Sequence, residues 1–188
     1  SKMSAAERAL LREEIRLYLL QNPEIIMEAV EVLRKKEQQV AIQSDFELVK
    51  KNKKAIFDDG FSFIGGNPNG DITLVEFVDY RCGYCKKAHN DVEKLLSTDG
   101  NIRFVIKEFP ILGEDSLKLS KFALAVKIVH GDKMYKLVHD ILIKMKSPPS
   151  EKAFDQILKN LNLDADRVES KMKSNEVNGM IAYTRTLA

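Results

Sequence analysis

The sequence contains very few cysteines, and this excludes a scaffold held together by disulfides. Only two occur among the 188 residues, and they lie two residues apart in Cys82-Gly83-Tyr84-Cys85. A crosslink over so short a loop adds little stability, because the entropy that it removes from the unfolded chain grows with the logarithm of loop length. The spacing instead indicates a redox-active thiol pair.

Long apolar runs and an excess of one charge are also missing. No stretch approaches the ~20 apolar residues of a membrane span, and the N-terminal residues lack the pattern of an export signal. The 30 basic and 28 acidic residues are spread along the chain and give no electrostatic footprint for nucleic acid. We therefore predict no membrane span, no nucleic-acid partner, and one hydrophobic core with an accessory segment.

The N-terminal residues predict two amphipathic helices. Apolar residues recur at helical spacing from Ala5 to about Leu20, and Asn22-Pro23-Glu24 marks the start of a second helix. A polar helical stalk follows, and we assign residues 1–59 to this extension. The helices either pack on the main domain or associate with other copies of the chain. The charged stalk favours the second alternative, and we predict a homo-oligomer.

A strand, helix, strand unit is predicted around the cysteines. Residues 72–80 are typical of a strand buried on both faces, 86–96 of a helix, and 102–109 of a second strand. A right-handed crossover makes the two strands parallel. The glycine-rich segment 65–71 predicts a turn, and a series of helices is predicted from Ser116 onward. The predicted class is α/β.

The position of the two cysteines predicts different chemistry for each. Cys82 falls where a helix begins, so backbone amides and the helix dipole favour its thiolate, and Arg81 and Lys86 add positive charge. Such thiols can have pKa values of roughly 3.5–7.5, compared with about 8.5 for a free one. Cys85 lies one turn later, where it can attack a mixed disulfide formed at Cys82 and release the partner.

An acidic residue, Glu76, lies in the predicted strand six residues before Cys82. A carboxyl beneath the thiol pair can relay a proton to Cys85. The alternative is that Glu76 sits at the end of the strand or pairs with a lysine. The residues themselves leave both interpretations open.

A metal site must be weighed because Cys82, Cys85 and His89 share one helical face. Structural zinc normally takes four protein ligands, and His130 and His139 are isolated within helical segments. We therefore predict no metal and no cofactor, with His89 on the surface of its helix. The alternative function is a non-catalytic, oligomeric binding protein whose reduced thiol pair captures copper.

Two parts of the sequence resemble a known family. Residues 75–86 (VEFVDYRCGYCK) and 104–113 (FVIKEFPILG) are similar to DsbA-type thioredoxin-fold proteins of bacterial envelopes. Residues 15–29 resemble the N-terminal helical extension of the suppressor-of-copper-sensitivity branch, ScsC. The resemblance implies a thioredoxin-like βαβ core with a helical insertion and an N-terminal helical extension. It also implies a periplasmic setting and the oxidation or isomerisation of protein disulfides.

The same resemblance implies roles and partners. Cys82 corresponds to the nucleophile, Cys85 to the resolving thiol, and Glu76 to the acidic residue under the motif. The partners are cysteine-containing protein substrates, a redox protein that resets the thiol pair, and further protomers joined through the N-terminal helices. Trimers are the best-known form of such assemblies.

The resemblance also suggests how the rest of the chain is organised. Residues 60–188 are the thioredoxin-like domain, with its first half at 60–112 and the helical insertion at 113–188. Family members continue into a loop with a cis-proline, a strand pair and a final helix, whereas no proline here lies beyond Pro149. We therefore expect a longer natural protein and an incomplete sheet with an unpaired edge in this chain.

Overall fold

Two units make up the computed structural model, which describes residues 3–188. The first two residues of the predicted extension lie outside the described residues. The N-terminal unit ends at Lys51, and the second unit runs from Asn52 to Ala188. This division falls before the boundary expected after residue 59, and the contacts of Asp59 given below explain why.

The N-terminal unit consists of two helices, α1 (Ala5–Gln21) and α2 (Glu24–Lys51). Helix α1 begins with a capping box, in which the Ser4 hydroxyl accepts from the Glu7 N–H and the Glu7 carboxylate accepts from the Ser4 N–H at 2.7 Å. It ends where the backbone N–H and the side-chain amide of Asn22 both donate to the carbonyl of Tyr18. The predicted helical extension is thus present.

Apolar side chains of these helices are exposed in the N-terminal unit. Within α1 and α2 no residue is buried. The exposed large apolar residues of the unit include Leu10, Leu11, Ile15, Leu17, Tyr18, Leu20, Ile26, Met27, Val32 and Leu33. An apolar surface of this extent is typical of a protein–protein contact.

The second unit alternates short strands and helices before it becomes wholly helical. Its elements are α3 (Lys53–Phe57), β1 (Phe63–Gly66), β2 (Ile72–Val78), α4 (Gly83–Thr98), β3 (Ile102–Glu108), α5 (Glu114–His130), α6 (Asp132–Lys144), α7 (Glu151–Asn160), α8 (Ala165–Met172) and α9 (Asn175–Leu187). The predicted βαβ unit and the helical insertion that follows it are therefore both present.

The described strands form one mixed sheet in the order β1-β3-β2. Strands β2 and β3 are parallel, as predicted for a right-handed crossover, and β1 is antiparallel to β3. Strand β1 was not predicted, because Gly65 and Gly66 were assigned to a turn. Gly66 has a φ of +64°, and a Cβ there would lie 2.3 Å from the carbonyl oxygen of Ile102. A glycine is required at this point because the strand passes so close to β3.

The burial of β2 differs from the prediction. It is one of the two edge strands of the described sheet, and Ile72 is exposed while only Val78 is buried. Strand β3 is the central and more deeply buried strand, because it pairs on both sides. The interpretation of residues 72–80 as buried on both faces was therefore wrong for most of the strand.

The core lies between the sheet and the helical insertion. Phe63, Phe104 and Ile106 from the sheet belong to the same cluster as Phe122 and Val138 from α5 and α6. Helix α5 is the most buried helix of this unit, and it packs against α6, α8 and α9. The insertion thus completes the hydrophobic core instead of forming a separate body.

A buried ion pair ties the segment before β1 to the central strand. Lys107 Nζ lies 2.5 Å from a carboxylate oxygen of Asp59, and both side chains are almost fully buried. The Asp59 carboxylate also accepts from the backbone N–H groups of Phe61 and Ser62 and from the Ser62 hydroxyl. Burial opposes ionisation of Asp59, but these donors outweigh it and lower its pKa. Asp59 therefore belongs to the second unit.

Candidate active site

Cys82 is the residue that caps the N-terminus of α4. Its backbone is extended, with φ −73° and ψ 119°, and its Sγ accepts a hydrogen bond from the N–H of Cys85 at 3.4 Å. A helix begins here because Cys82 supplies the side-chain acceptor that the first turn of a helix lacks. The sulfur consequently lies where free N–H groups and the helix dipole favour a negative charge.

The two thiols have opposite electrostatic environments. The backbone N–H of Cys85 is the main cause of a lowered pKa at Cys82, and the N–H of Tyr84 adds to it, while burial opposes both. Burial raises the pKa of Cys85 to about 11, and the nearby Cys82 and Glu76 contribute to this rise. Both cysteines are free thiols and half-buried. The arrangement therefore favours a thiolate at Cys82 and a neutral thiol at Cys85.

Glu76 lies within β2, opposite Ile106 of β3, and not at the end of the strand. Burial raises its pKa, and the carboxylate of Glu93 raises it further. Among residues 3–188, no lysine forms an ion pair with Glu76. The charge of Glu76 contributes to the raised pKa of Cys85.

The basic residues beside the cysteines hold the loop between α6 and α7. The Arg81 guanidinium donates to the carbonyl of Ser147 at 3.3 Å, and Lys86 Nζ donates to that of Met145 at 2.5 Å. Burial and the neighbouring Arg81 lower the pKa of Lys86. These residues thus connect the thiol motif to the helical insertion.

Sequence reasoning missed Asp79, a buried hydrogen-bond acceptor just before the motif. Its Oδ1 accepts from the Arg81 N–H at 2.8 Å and the Ser116 hydroxyl at 2.7 Å. Its Oδ2 accepts from the N–H groups of Ile111 and Leu112 at 2.8 and 3.0 Å. One carboxylate therefore holds the loop after β3 beside the thiol motif. An aspartate that ends an apolar strand was the available signal.

A second buried carboxyl, Glu108, lies at the end of β3. Its Oε1 accepts from the hydroxyls of Tyr80 and Tyr135, each at 2.7 Å, and burial raises its pKa to about 7. Burial and the charge of Glu108 raise the pKa values of both tyrosines well above the ordinary value. The Tyr80 hydroxyl also lies 3.1 Å from His139 Nδ1. No local sequence pattern predicts this network, because its members come from separate elements.

His89 is buried and not, as predicted, on the surface of its helix. Only 4% of it is exposed, and its ring centroid lies 5.6 Å from that of His139 in α6. Among the described residues, His89 lies together with His139 and Asp140, and not in the grouping with the two cysteines that was weighed from the sequence. Burial lowers the pKa of both histidines, that of His139 to about 3.

Models of two protein families match parts of this chain, one in each unit. The DSBA-like thioredoxin domain matches residues 73–188, which is more than half of the chain. The chain belongs to the DSBA-like thioredoxin family. The N-terminal domain of the copper resistance protein ScsC matches residues 7–39. The family that the sequence resembled is thus confirmed, together with its ScsC-type extension.

Solved structures of DSBA-like proteins show the same architecture. The thiol-disulfide exchange protein alpha-DsbA2 from Wolbachia pipientis is 33% identical, over 75% of each chain, with a TM-score of 0.68. ScsC from Proteus mirabilis, in a transitional conformation, is 26% identical over 97% of this chain and 79% of its own, with a TM-score of 0.63.

A third structure shows the shared fold alone. It is a periplasmic thioredoxin-like protein from Salmonella enterica serovar Typhimurium, 24% identical over 72% of this chain and 75% of its own, with a TM-score of 0.64. A search of curated proteins found no significant match. In the part of the chain that the structure describes, every helix is too short or too polar to cross a membrane.

Proposed function

We propose that this protein exchanges disulfides with cysteine-containing proteins through Cys82 and Cys85. The observation that carries the proposal is the asymmetry of the two thiols. The pKa of Cys82 is lowered by N–H groups at the start of α4, and that of Cys85 is raised to about 11 by burial. Attack at Cys82, followed by resolution at Cys85, is the chemistry that this asymmetry favours.

In the oxidising direction, a substrate thiolate attacks the Sγ of Cys82 in the Cys82–Cys85 disulfide. An S–S bond forms between substrate and Cys82, the bond to Cys85 breaks, and the Cys85 thiolate takes up a proton. A second substrate thiolate then attacks the substrate sulfur of the mixed disulfide and releases the Cys82 thiolate. The substrate loses two electrons, the thiol pair gains them, and a redox partner must remove them again.

Glu76 fits the role of proton donor and acceptor for Cys85. Its raised pKa allows the carboxyl to hold a proton nearer to neutral pH than an exposed glutamate does. A carboxyl in this state can protonate the Cys85 thiolate as it leaves and take the proton back when Cys85 attacks. We propose this role in place of the alternatives considered from sequence.

Exposed apolar residues beside the motif supply a surface for unfolded substrates. Tyr84 is 83% exposed within the motif, and Ile111 and Leu112 are 58% and 53% exposed. Asp79 holds the loop with the last two residues against the backbone of Arg81. A polypeptide with exposed apolar side chains would bury them here while its cysteine reaches Cys82.

Stabilisation of the Cys82 thiolate also stabilises the reduced pair, which makes the disulfide a better oxidant. We therefore favour oxidation over reduction as the net reaction, in the periplasm, where an oxidising environment maintains disulfides. Isomerisation becomes the better alternative if the N-terminal helices assemble several active sites around one space. The exposed apolar residues of α1 and α2 support such a homo-oligomer.

Trapping experiments test the roles of the two thiols. A Cys85→Ser variant should accumulate a mixed disulfide through Cys82 when it is mixed with a disulfide-containing peptide at neutral pH. The matched Cys82→Ser variant should accumulate much less, because burial keeps Cys85 protonated. Equal trapping by both variants would contradict the proposed asymmetry.

Sedimentation of the full chain tests the oligomer separately. The protein should sediment as an oligomer, and Ile15→Asp together with Leu33→Asp should shift it toward the monomer without changing the trapping result.

Copper capture by the reduced pair stays a prediction. A Cu(I) titration of the reduced protein and of Cys82→Ser is the measurement that checks it.

A further inference from the structure

Two buried histidines and an aspartate lie together between the helix that carries the cysteines and the helical insertion. His89 belongs to α4, four residues after Cys85, whereas His139 and Asp140 belong to α6. One ring nitrogen from each histidine and one carboxylate oxygen all lie within 4.8 Å of one another. This cluster lies outside the thiol chemistry described above.

The state of His89 is unusual for a buried side chain that serves only packing. Its Nε2 is buried and has no hydrogen-bond partner among residues 3–188. The nearest anionic atom, Oδ1 of Asp140, is 3.6 Å away, which is too long for a hydrogen bond. A buried nitrogen without a partner costs about 1–3 kcal/mol. Two ligand atoms bound tetrahedrally to zinc at about 2.0–2.1 Å lie about 3.3 Å apart. This is close to the 3.6 Å between His89 Nε2 and Asp140 Oδ1.

The surroundings of His139 set the tautomer that a metal ligand needs. The Tyr80 hydroxyl donates to the Glu108 carboxyl at 2.7 Å, so it accepts from the Nδ1–H of His139 at 3.1 Å. The lone pair of that ring then lies on Nε2. Hydrogen bonds of this kind, from a ligating histidine to an outer partner, are typical of metal sites and fix the orientation of the ring.

Asp140 supplies the charge and the route of access. Its side chain is 29% exposed, unlike the two histidines, so an ion can reach the cluster from that side. Lys136 Nζ lies 2.7 and 2.8 Å from the two Asp140 oxygens and 3.0 Å from Glu93. This ammonium competes with a cation for Asp140, and it can keep Oδ2 and Glu93 as partners when Oδ1 binds an ion.

We propose that His89, His139 and Asp140 bind one divalent transition-metal ion of the zinc class, between α4 and α6. Two imidazoles and a carboxylate are ligands that suit Zn²⁺, and a water molecule would complete a tetrahedral site. Because Cys85 lies in α4 and Cys82 caps it, a bound ion would fasten the active-site helix to α6 of the insertion.

Zinc titration of the full chain in its Cys82–Cys85 disulfide form tests the site, since oxidation removes the thiolates as ligands. Isothermal titration calorimetry should show one Zn²⁺ per chain, and the midpoint of thermal unfolding should rise with Zn²⁺ concentration. Co²⁺ should give visible d–d absorption without a thiolate charge-transfer band. Binding by the reduced form alone would place the ion on the cysteines and overturn the proposal.

Three substitutions and a control locate the ion. Asp140→Asn and His89→Gln should each weaken Zn²⁺ binding by more than the roughly 10–100-fold that loss of an outer partner costs. Lys136→Gln should strengthen binding, a gain that misfolding cannot produce. The control is His130→Gln, because His130 binds the N–H of Asp164 outside the cluster. Unchanged affinity in Asp140→Asn, or weaker binding in Lys136→Gln, would refute the site.

Discussion

The buried carboxyl of Glu108 makes the stability of the second unit depend on pH. Burial raises its pKa from the ordinary 4.5 to about 7, although the hydroxyls of Ser120, Tyr80 and Tyr135 act in the opposite direction. The folded protein therefore holds this proton over a pH range in which the unfolded chain has lost it. The stability that the neutral carboxyl contributes is fully present below pH 4.5 and is lost as the pH rises through about 7.

The size of this effect follows from the two pKa values. Each pKa unit corresponds to about 1.4 kcal/mol, so the full difference corresponds to about 3 kcal/mol, most of it between about pH 5 and pH 8. A Glu108→Gln variant keeps a carbonyl oxygen for the two tyrosine hydroxyls but cannot ionise. Relative to the unaltered protein, we expect its free energy of unfolding to rise by about 2–3 kcal/mol across this range.

Urea denaturation at several pH values measures this difference. Both proteins are studied in the disulfide form and with a chelator present, so that thiol ionisation and metal binding do not contribute. The control is Glu114→Gln, which alters an exposed carboxylate at the start of α5 and should show no such trend. A difference between Glu108→Gln and the unaltered protein that stays constant from about pH 5 to about pH 8 would refute the reasoning.

Three further predictions concern the thiol motif and the core. Asp79→Ala removes the acceptor for four donors and should lower the free energy of unfolding by about 2–4 kcal/mol, measured by denaturation. Glu76→Gln removes a charge that raises the pKa of Cys85, so that pKa should fall in a thiolate titration monitored by ultraviolet absorbance. Resolution of the mixed disulfide should nevertheless slow, because glutamine cannot take the proton from Cys85. Phe122→Ala removes a buried ring stacked on Phe154 at 4.2 Å and should cost about 3–5 kcal/mol in a denaturation experiment.

Local features of the sequence were sufficient for much of the fold. The capping position of Cys82 and the parallel pairing of β2 with β3 follow from residues that are neighbours in sequence, so periodicity and turn chemistry predicted them. Strand β1 escaped prediction because its two glycines have the composition of a turn. The partial exposure of β2 also escaped, since an apolar run does not show whether a strand is central or at an edge.

The polar network around the site could not be predicted, because its members are far apart in sequence. His89 and His139 are separated by 50 residues, and Tyr80 is 28 residues from Glu108. Packing of the helical insertion decides which face of α6 meets α4. Local patterns in a single sequence do not predict this packing. Asp79 was closer to being predictable, since it lies in the motif that carried the family resemblance.

The Asp59–Lys107 ion pair bears on how the N-terminal helices can be exchanged during evolution. Recombination that joined a different helical extension after residue 59 would leave the ammonium of Lys107 buried without its carboxylate, and such a loss costs about 3–5 kcal/mol. A junction before Asn52 keeps the pair intact. Natural fusions that vary the extension while retaining the thiol domain should therefore carry the acidic residue along with the lysine, as one inherited block.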